Sequence, residues 1–284
     1  MATHSDVISK AVEGALEQIK IHAPEEYAKL EADPAKKEEL IQAARAVATE
    51  TVQLGEEFAG QPEDIAERLA KHLSKDRIKL IEGGLDIPTF RMDIKKTDGK
   101  HHVELFREDG TPFLPARALV TPVDFDWAKI MQYASILVEA VLLVMSAVGI
   151  SISPSSKVMD ETIEKTAEAI KTSPRLRQAL DDFVTAWNAA GPGNAYEKAK
   201  AIFILIKKSF AAGILWTIIK SLCSAMRWYD WLLVSAKVSA MIIAALATEG
   251  AALIAKIALV VLGAVKFARK IANIVQLSEI QKSL

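Results

Sequence analysis

The feature that most constrains this chain is a run of 23 residues, 130–152, in which Glu139 is the single charged side chain. A helix of that length is about 34 Å long, which is enough to cross a hydrocarbon core of about 30 Å. Two further stretches, 201–226 and 231–268, are nearly as apolar and carry scattered lysines and one glutamate. Segments of this composition must be buried, either in a tight helical bundle or in a lipid bilayer.

The composition predicts that this apolar mass is helical. The chain has 284 residues, of which 51% are hydrophobic but only 6% are aromatic, so that Ala, Leu, Ile and Val dominate. Ala and Leu are strong helix formers. We therefore predict a mainly α fold, a helical bundle with long apolar helices. Three regions are expected: an acidic amphipathic helical region at 1–84, a β-hairpin and Pro-rich linker at 85–122, and an apolar helical bundle at 123–284.

The first region is predicted to contain three amphipathic, water-soluble helices. The first covers 5–22, with Ser5 or Asp6 as its cap. The second follows Asp33-Pro34, which resembles an N-cap followed by proline at the first helical position. The third covers 62–82.

A small β-hairpin insertion is predicted near residues 89–114. Residues 89–94 and 101–106 alternate apolar and polar side chains on either side of Asp98-Gly99, a dipeptide typical of tight hairpin turns. A short third strand at 111–114 is also consistent with the pattern. Beyond the linker, residues 157–189 are predicted to be amphipathic helix with a break near Ser173-Pro174.

The charge is divided unevenly along the chain. Residues 198–284 contain 12 Lys and Arg against three acids, a net charge of +9, so residues 1–197 carry −10 of the total of −1. A basic, apolar segment suits an anionic lipid surface. The alternative is that the two halves attract each other within one fold. Nucleic acid is not a predicted partner, because the lysines are scattered and do not form a basic stripe.

No catalytic residue, metal site or cofactor is predicted, and the chain is not expected to be an enzyme. His101 and His102 would point to opposite faces of a strand, and no Walker or dinucleotide glycine loop occurs. The one cysteine, Cys223, lies in an apolar run, so no intrachain disulfide can form. The N-terminus lacks an apolar signal core, so we expect synthesis in the cytosol without a signal peptide, with soluble and membrane-associated forms and with release from the cell as an option.

Residues 231–268 have the form of a hydrophobic helical hairpin, with two apolar arms joined by a turn at 248–250. Helices satisfy their own backbone hydrogen bonds, so such a hairpin can enter lipid. Lys237 and Lys256 lie inside the arms, and each would cost roughly 2.5–3.5 kcal/mol at mid-bilayer. These lysines favour a hairpin that is stored in a soluble fold and released conditionally, or one that lines a wet pore.

The predicted membrane-interacting residues are aromatic and aliphatic side chains of this hairpin and its entrance. They are Trp228, Tyr229, Trp231, Leu232, Leu233, Ile242, Ile243, Leu246, Leu253, Ile254, Leu259, Val260 and Leu262. Lys237, Lys256 and Lys266 are predicted to face a lumen or lipid headgroups, and Glu249 and Gly250 to form the hairpin tip. The three aromatic residues would lie at headgroup level in a bilayer. In a soluble fold they would form a packed helix–helix corner.

The arrangement of apolar helices over residues 126–275 resembles that of α-helical pore-forming toxins, including the colicin pore domains and the ClyA haemolysins. In those proteins soluble helices surround an apolar hairpin. The resemblance is architectural and matches no specific motif. It implies a protein that is soluble before it inserts and that assembles on the membrane.

The leading hypothesis is therefore a membrane-inserting, pore-forming or membrane-permeabilising α-helical protein, with a lipid membrane and further copies of itself as partners. A first alternative is a constitutive integral membrane protein with a soluble N-terminal domain. A second alternative is a soluble helical protein that binds an apolar ligand or a protein partner.

Overall fold

The computed structural model of the chain describes residues 3–59, 90–97, 100–107, 110–111, 125–147, 149–150, 152–191, 194–263 and 271. Within these ranges the fold is mainly helical, as predicted, with ten helices. They are α1 (His4–His22), α2 (Pro24–Glu31), α3 (Pro34–Phe58), α4 (Phe125–Ala147), α5 (Ser156–Thr172), α6 (Pro174–Ala189), α7 (Ala195–Ala211), α8 (Ile214–Leu222), α9 (Trp228–Ala247) and α10 (Ala251–Gly263). The predicted helix at 62–82 and the region boundaries near 84 and 122 lie outside the described residues, so the division into regions stays a prediction.

The N-terminal helices start at capping residues. Thr3 is the N-cap of α1: its hydroxyl accepts from the Asp6 amide at 3.2 Å, and its own amide donates to Asp6 Oδ2 at 3.0 Å. The prediction of Ser5 or Asp6 as cap is wrong, because Asp6 is the third helical residue and completes a capping box from inside the helix. The prediction for α3 is confirmed, since Asp33 Oδ1 accepts from the Lys36 amide at 3.2 Å and Pro34 opens the helix.

Two antiparallel strands follow, β1 (Phe90–Thr97) and β2 (Lys100–Arg107). Phe90 lies opposite Arg107, and Thr97 lies opposite Lys100. β2 contacts α4. The third strand considered at 111–114 lies, apart from Thr111, outside the described part of the chain.

The predicted break near Ser173-Pro174 is confirmed. α5 ends at Thr172, and the Ser173 hydroxyl accepts from the Leu176 amide at 3.3 Å as the N-cap of α6. Pro174 occupies the first turn, where its missing N–H costs no hydrogen bond.

The core has α4 at its centre. α5 and α10 pack along α4, and α7 and α8 also contact it. A second group of helices forms around α9, which packs against α1 and α3. α10 contacts α3, α4 and α7 and so joins the two groups, whose buried side chains form one continuous apolar cluster.

Candidate membrane-insertion helices

α4 is long and apolar enough to cross a membrane, but it is enclosed by protein. Every residue from 130 to 147 is buried. Glu139 lies near the middle of this stretch and is only 3% exposed. At the N-terminal end, Asp181 of α6 accepts hydrogen bonds from Lys129 Nζ at 3.0 Å and from Tyr133 Oη at 2.5 Å. α4 is therefore held by polar contacts at one end and stored inside the fold along the rest of its length.

α9 is the second helix long and apolar enough to span a bilayer. α1 and α3 lie over it. They approach it closely at two glycines: a Cβ placed on Gly14 of α1 would lie 2.7 Å from Ile243 Cδ1, and a Cβ on Gly55 of α3 would lie 2.8 Å from Thr248 Cβ. α1 and α3 can therefore pack this closely on α9 because Gly14 and Gly55 lack side chains.

The apolar run at 201–226 is divided into α7 and α8, which are bent by 96° relative to each other. The bend is at Gly213, whose φ of +73° is a left-handed conformation that glycine adopts without strain. The three lysines of this run, Lys207, Lys208 and Lys220, are all exposed on the two bent helices, so the run has a solvated face. Taken together, α7 and α8 are a third candidate span, broken after the 17 residues of α7.

The turn between α9 and α10 is fixed by its backbone. The Gly250 N–H donates to the Ala245 carbonyl at 2.7 Å, which is the long hydrogen bond of a Schellman helix end. Both predicted tip residues are left-handed, with φ of +54° at Glu249 and +80° at Gly250. Glu249 is exposed, whereas Gly250 is buried beside the Phe203 ring of α7. The tip is therefore packed against α7.

The lysines of the predicted hairpin have different surroundings. Lys256 of α10 is 1% exposed, and its Nζ lies 2.8 Å from Glu50 Oε1 of α3. The Glu50 side chain is 33% exposed, so the ion pair lies at the edge of the core. Lys237 is half-buried, and Lys266 lies outside the described residues. In this fold Lys256 binds a carboxylate of the acidic half of the chain.

The aromatic cluster at the start of α9 forms a corner between helices. Tyr229 Oη donates to the Lys36 carbonyl at 3.1 Å, and Lys36 Nζ lies 5.5 Å from the centroid of the Trp228 ring. Trp231 is buried, with Lys220 Nζ 5.5 Å from its ring centroid. Cation–π contacts contribute about 0.5–1 kcal/mol each at exposed sites. The cluster thus joins α9 to α3 and α8.

The remaining predicted membrane-interacting residues lie mostly inward. The buried ones are Leu232, Ile242, Leu253 and Ile254, and the half-buried ones are Leu233, Ile243 and Leu246. Leu259, Val260 and Leu262 belong to the backbone of α10, but their side chains lie outside what the structure describes. Contact of this set with lipid stays a prediction.

The apolar helices also bury a set of polar residues, of which the sequence singled out Glu139 alone. They are Gln132, Ser135, Glu139 and Ser146 of α4, and Ser235 and Ser239 of α9, none more than 5% exposed. The amide of Gln132 has no hydrogen-bond partner among the described residues. The signal that could have found the α4 set is its spacing of three, four and seven residues, which places all four side chains on one stripe of a helix.

His22 couples the end of α1 to α8. Its ring stacks on that of Trp216, with 5.3 Å between centroids. Burial lowers the pKa of His22. An unfolded chain binds the proton near the ordinary pKa of 6.5, whereas the folded chain binds it at lower pH, so this residue reduces stability as the pH falls below that value.

Replacing His22 with phenylalanine keeps the stacked ring but removes the titration. We expect the melting temperature of His22→Phe to fall less than that of the native protein when the pH is lowered from about 7.5 to about 5.5. Thermal unfolding followed by circular dichroism at both pH values measures the difference. An equal fall in the two proteins would contradict a lowered pKa of His22 in the folded state.

The ranges that the structure describes contain no group of three or more His, Cys, Asp or Glu that could hold a metal ion. Cys223 is buried at the end of α8. No protein-family model, curated protein or solved structure matches the chain. Its function is therefore inferred from the helices themselves.

Proposed function

We propose that this protein inserts into membranes as a pore-forming or membrane-permeabilising α-helical protein, toxin-like in its action, and that it is soluble until it meets lipid. The observation that carries the proposal is α4, a span-length helix with one charged residue between 130 and 147 that is buried along that whole stretch. A helix satisfies its backbone hydrogen bonds internally, so it can exchange a protein core for lipid without exposing unpaired amides.

The cover over α9 supports a soluble form that precedes insertion. Over the described part of the surface, the exposed large hydrophobic residues are Ile21 and Ile204. A constitutive membrane protein presents a belt of apolar side chains to lipid. The small number of exposed large hydrophobic residues therefore favours a soluble form with buried apolar helices over the alternative of a permanent integral membrane protein.

Lys256 also supports a soluble form that exists before the protein inserts into the membrane. Its ion pair with Glu50 compensates the buried charge in the soluble fold. At mid-bilayer the same charge would cost roughly 2.5–3.5 kcal/mol. After insertion, Lys256 and Lys237 are therefore best placed at a lumen or at headgroups. Several copies of the chain are needed to enclose a lumen with such helices, so the membrane form is a homo-oligomer.

The β-hairpin insertion near 89–114 is proposed to be an accessory element that stays outside the bilayer. Arg91, Asp93, Glu104 and Arg107 place charges on both of its strands. Charged side chains disfavour lipid contact. The protein is proposed to be made in the cytosol and to exist in soluble and membrane-associated forms.

A cysteine pair across α1 and α9 tests the proposal. Gly14→Cys and Ile243→Cys are combined with Cys223→Ser, so that the two new thiols are the only ones. A Cβ on Gly14 would lie 3.8 Å from Ile243 Cγ1, so the two new cysteines would be direct neighbours across α1 and α9. We expect the reduced protein to float with phosphatidylglycerol vesicles and to release trapped dye. The oxidised protein should release it about tenfold more slowly, because the cross-link opposes separation of α9 from α1.

Reduction of the oxidised sample is the internal control, and Ile243→Cys alone in the Cys223→Ser background controls for loss of the isoleucine without adding a side chain at Gly14. Equal release before and after reduction would mean that α9 does not have to leave α1. No flotation and no release from either form, at any pH or lipid composition tested, would refute insertion. That result would favour a soluble helical protein that binds an apolar ligand or a protein partner.

A further inference from the structure

The four buried polar residues of α4, named here the α4 polar stripe, are Gln132, Ser135, Glu139 and Ser146. At 3.6 residues per turn their side chains fall within an arc of about 60° and extend over about 21 Å of the helix axis. The rest of 130–147 is apolar apart from the Tyr133 hydroxyl. α4 therefore has one polar stripe on a helix that is otherwise suited to lipid.

This stripe is costly in the soluble fold. Its side chains are at most 5% exposed, and the Gln132 amide has no hydrogen-bond partner in the described ranges. An unsatisfied buried polar group costs about 1–3 kcal/mol. Leucine at position 132 would therefore suit a permanent core better than glutamine. The stripe suits a second environment in which one face of α4 meets water.

We infer that α4 lines an aqueous pore for cations, with the α4 polar stripe facing the lumen and Glu139 selecting cations over anions. This inference rests on the proposed function. Leu137, Val141 and Val144 lie on the opposite side of the helix and would face lipid or neighbouring helices. In an oligomer each copy contributes one Glu139, and a ring of carboxylates concentrates cations and repels anions.

Lys237 and Lys256 allow a pore lined by α4 to be distinguished from one lined by α9 and α10. A lumen lined by Lys237 and Lys256 would favour anions, by the same electrostatic argument with the opposite sign. Glu139 lies in the middle of the span-length helix α4, whereas Lys237 and Lys256 lie on α9 and α10. The sign of the ion selectivity therefore identifies the helix that lines the pore.

Planar lipid bilayers containing phosphatidylglycerol, with a KCl gradient across them, provide the test. The native protein should form conductances whose reversal potential shows a preference for K⁺. Glu139→Gln has nearly the same size without the charge, and it should reduce the K⁺ to Cl⁻ permeability ratio by about threefold or more while conductance persists. Glu164→Gln removes an exposed charge on α5, outside the proposed spans, and should leave the ratio unchanged.

Thiol labelling in the Cys223→Ser background gives a second measurement. A cationic thiosulfonate should reduce the current of Ser135→Cys by about twofold or more and leave that of Leu137→Cys, on the opposite side of α4, unaffected. Anion preference, a ratio insensitive to Glu139→Gln, or equal block at both cysteines would overturn the inference and leave the proposed function standing. Absence of any conductance from the native protein would refute the proposed function and the inference with it.

Discussion

Replacing Glu50 with alanine is expected to lower the free energy of unfolding by about 3 kcal/mol, because removing one partner of a buried ion pair leaves a charge that the core must still hold. The Lys256 ammonium lies 2.8 Å from Glu50 Oε1, and the lysine side chain is 2% exposed. We take the low end of the usual range for buried pairs because the Glu50 side chain is 33% exposed. Urea unfolding followed by far-UV circular dichroism measures the change.

Two further variants isolate this ion pair. Glu38→Ala, an exposed position on the same helix, should change stability by no more than about 0.5 kcal/mol. Lys256→Met replaces the buried charge with an apolar chain, and the Glu50 carboxylate that it leaves is 33% exposed to water, so this variant should lose less stability than Glu50→Ala. In the Lys256→Met background, Glu50→Ala should then cost little. If the two substitutions were additive, the ion pair could not explain the loss.

Gly250→Ala is expected to reduce the free energy of unfolding by about 3 kcal/mol, from two causes that add. The φ of +80° is strained for any residue with a Cβ, at about 1–2 kcal/mol. The new methyl group would also lie 2.5 Å from Cζ of Phe203, and such overpacking costs about 1–3 kcal/mol. Chemical denaturation of the variant measures the sum.

Gly191→Ala is the matched control, because Gly191 also has a left-handed φ, of +69°, but a Cβ there would meet nothing within 4 Å. It should cost about 1 kcal/mol, which is the backbone strain alone. Equal losses at the two glycines would contradict the packing of the turn against α7.

Local features of the fold could be predicted from the sequence. The start of α3 at Asp33-Pro34 and the break before α6 at Ser173-Pro174 are set by capping chemistry that acts over three or four residues. The apolar character of α4 follows from its composition, which does not depend on its neighbours.

Features set by tertiary contacts could not be predicted in this way. The bend at Gly213 interrupts an apolar run in which an isolated glycine is compatible with a continuous helix, and packing decides between the two. Glu50 and Lys256 are 206 residues apart, so no spacing rule connects them. The cover of α1 and α3 over α9 depends on Gly14 and Gly55, whose role becomes visible once the helices are placed together.

Because α4 is enclosed by helices that follow it in the chain, it is synthesised before the helices that cover it. α4 is complete at Ala147, but α10, which packs along it, begins at Ala251. At 5–20 residues per second, roughly 5–20 s pass between these two points of translation. During that interval the nascent chain carries a span-length apolar helix that lacks part of its sheath. Under the proposed function, we expect the cell that makes this protein to shield its own bilayer during that interval, for example with a chaperone that binds α4 until α10 emerges.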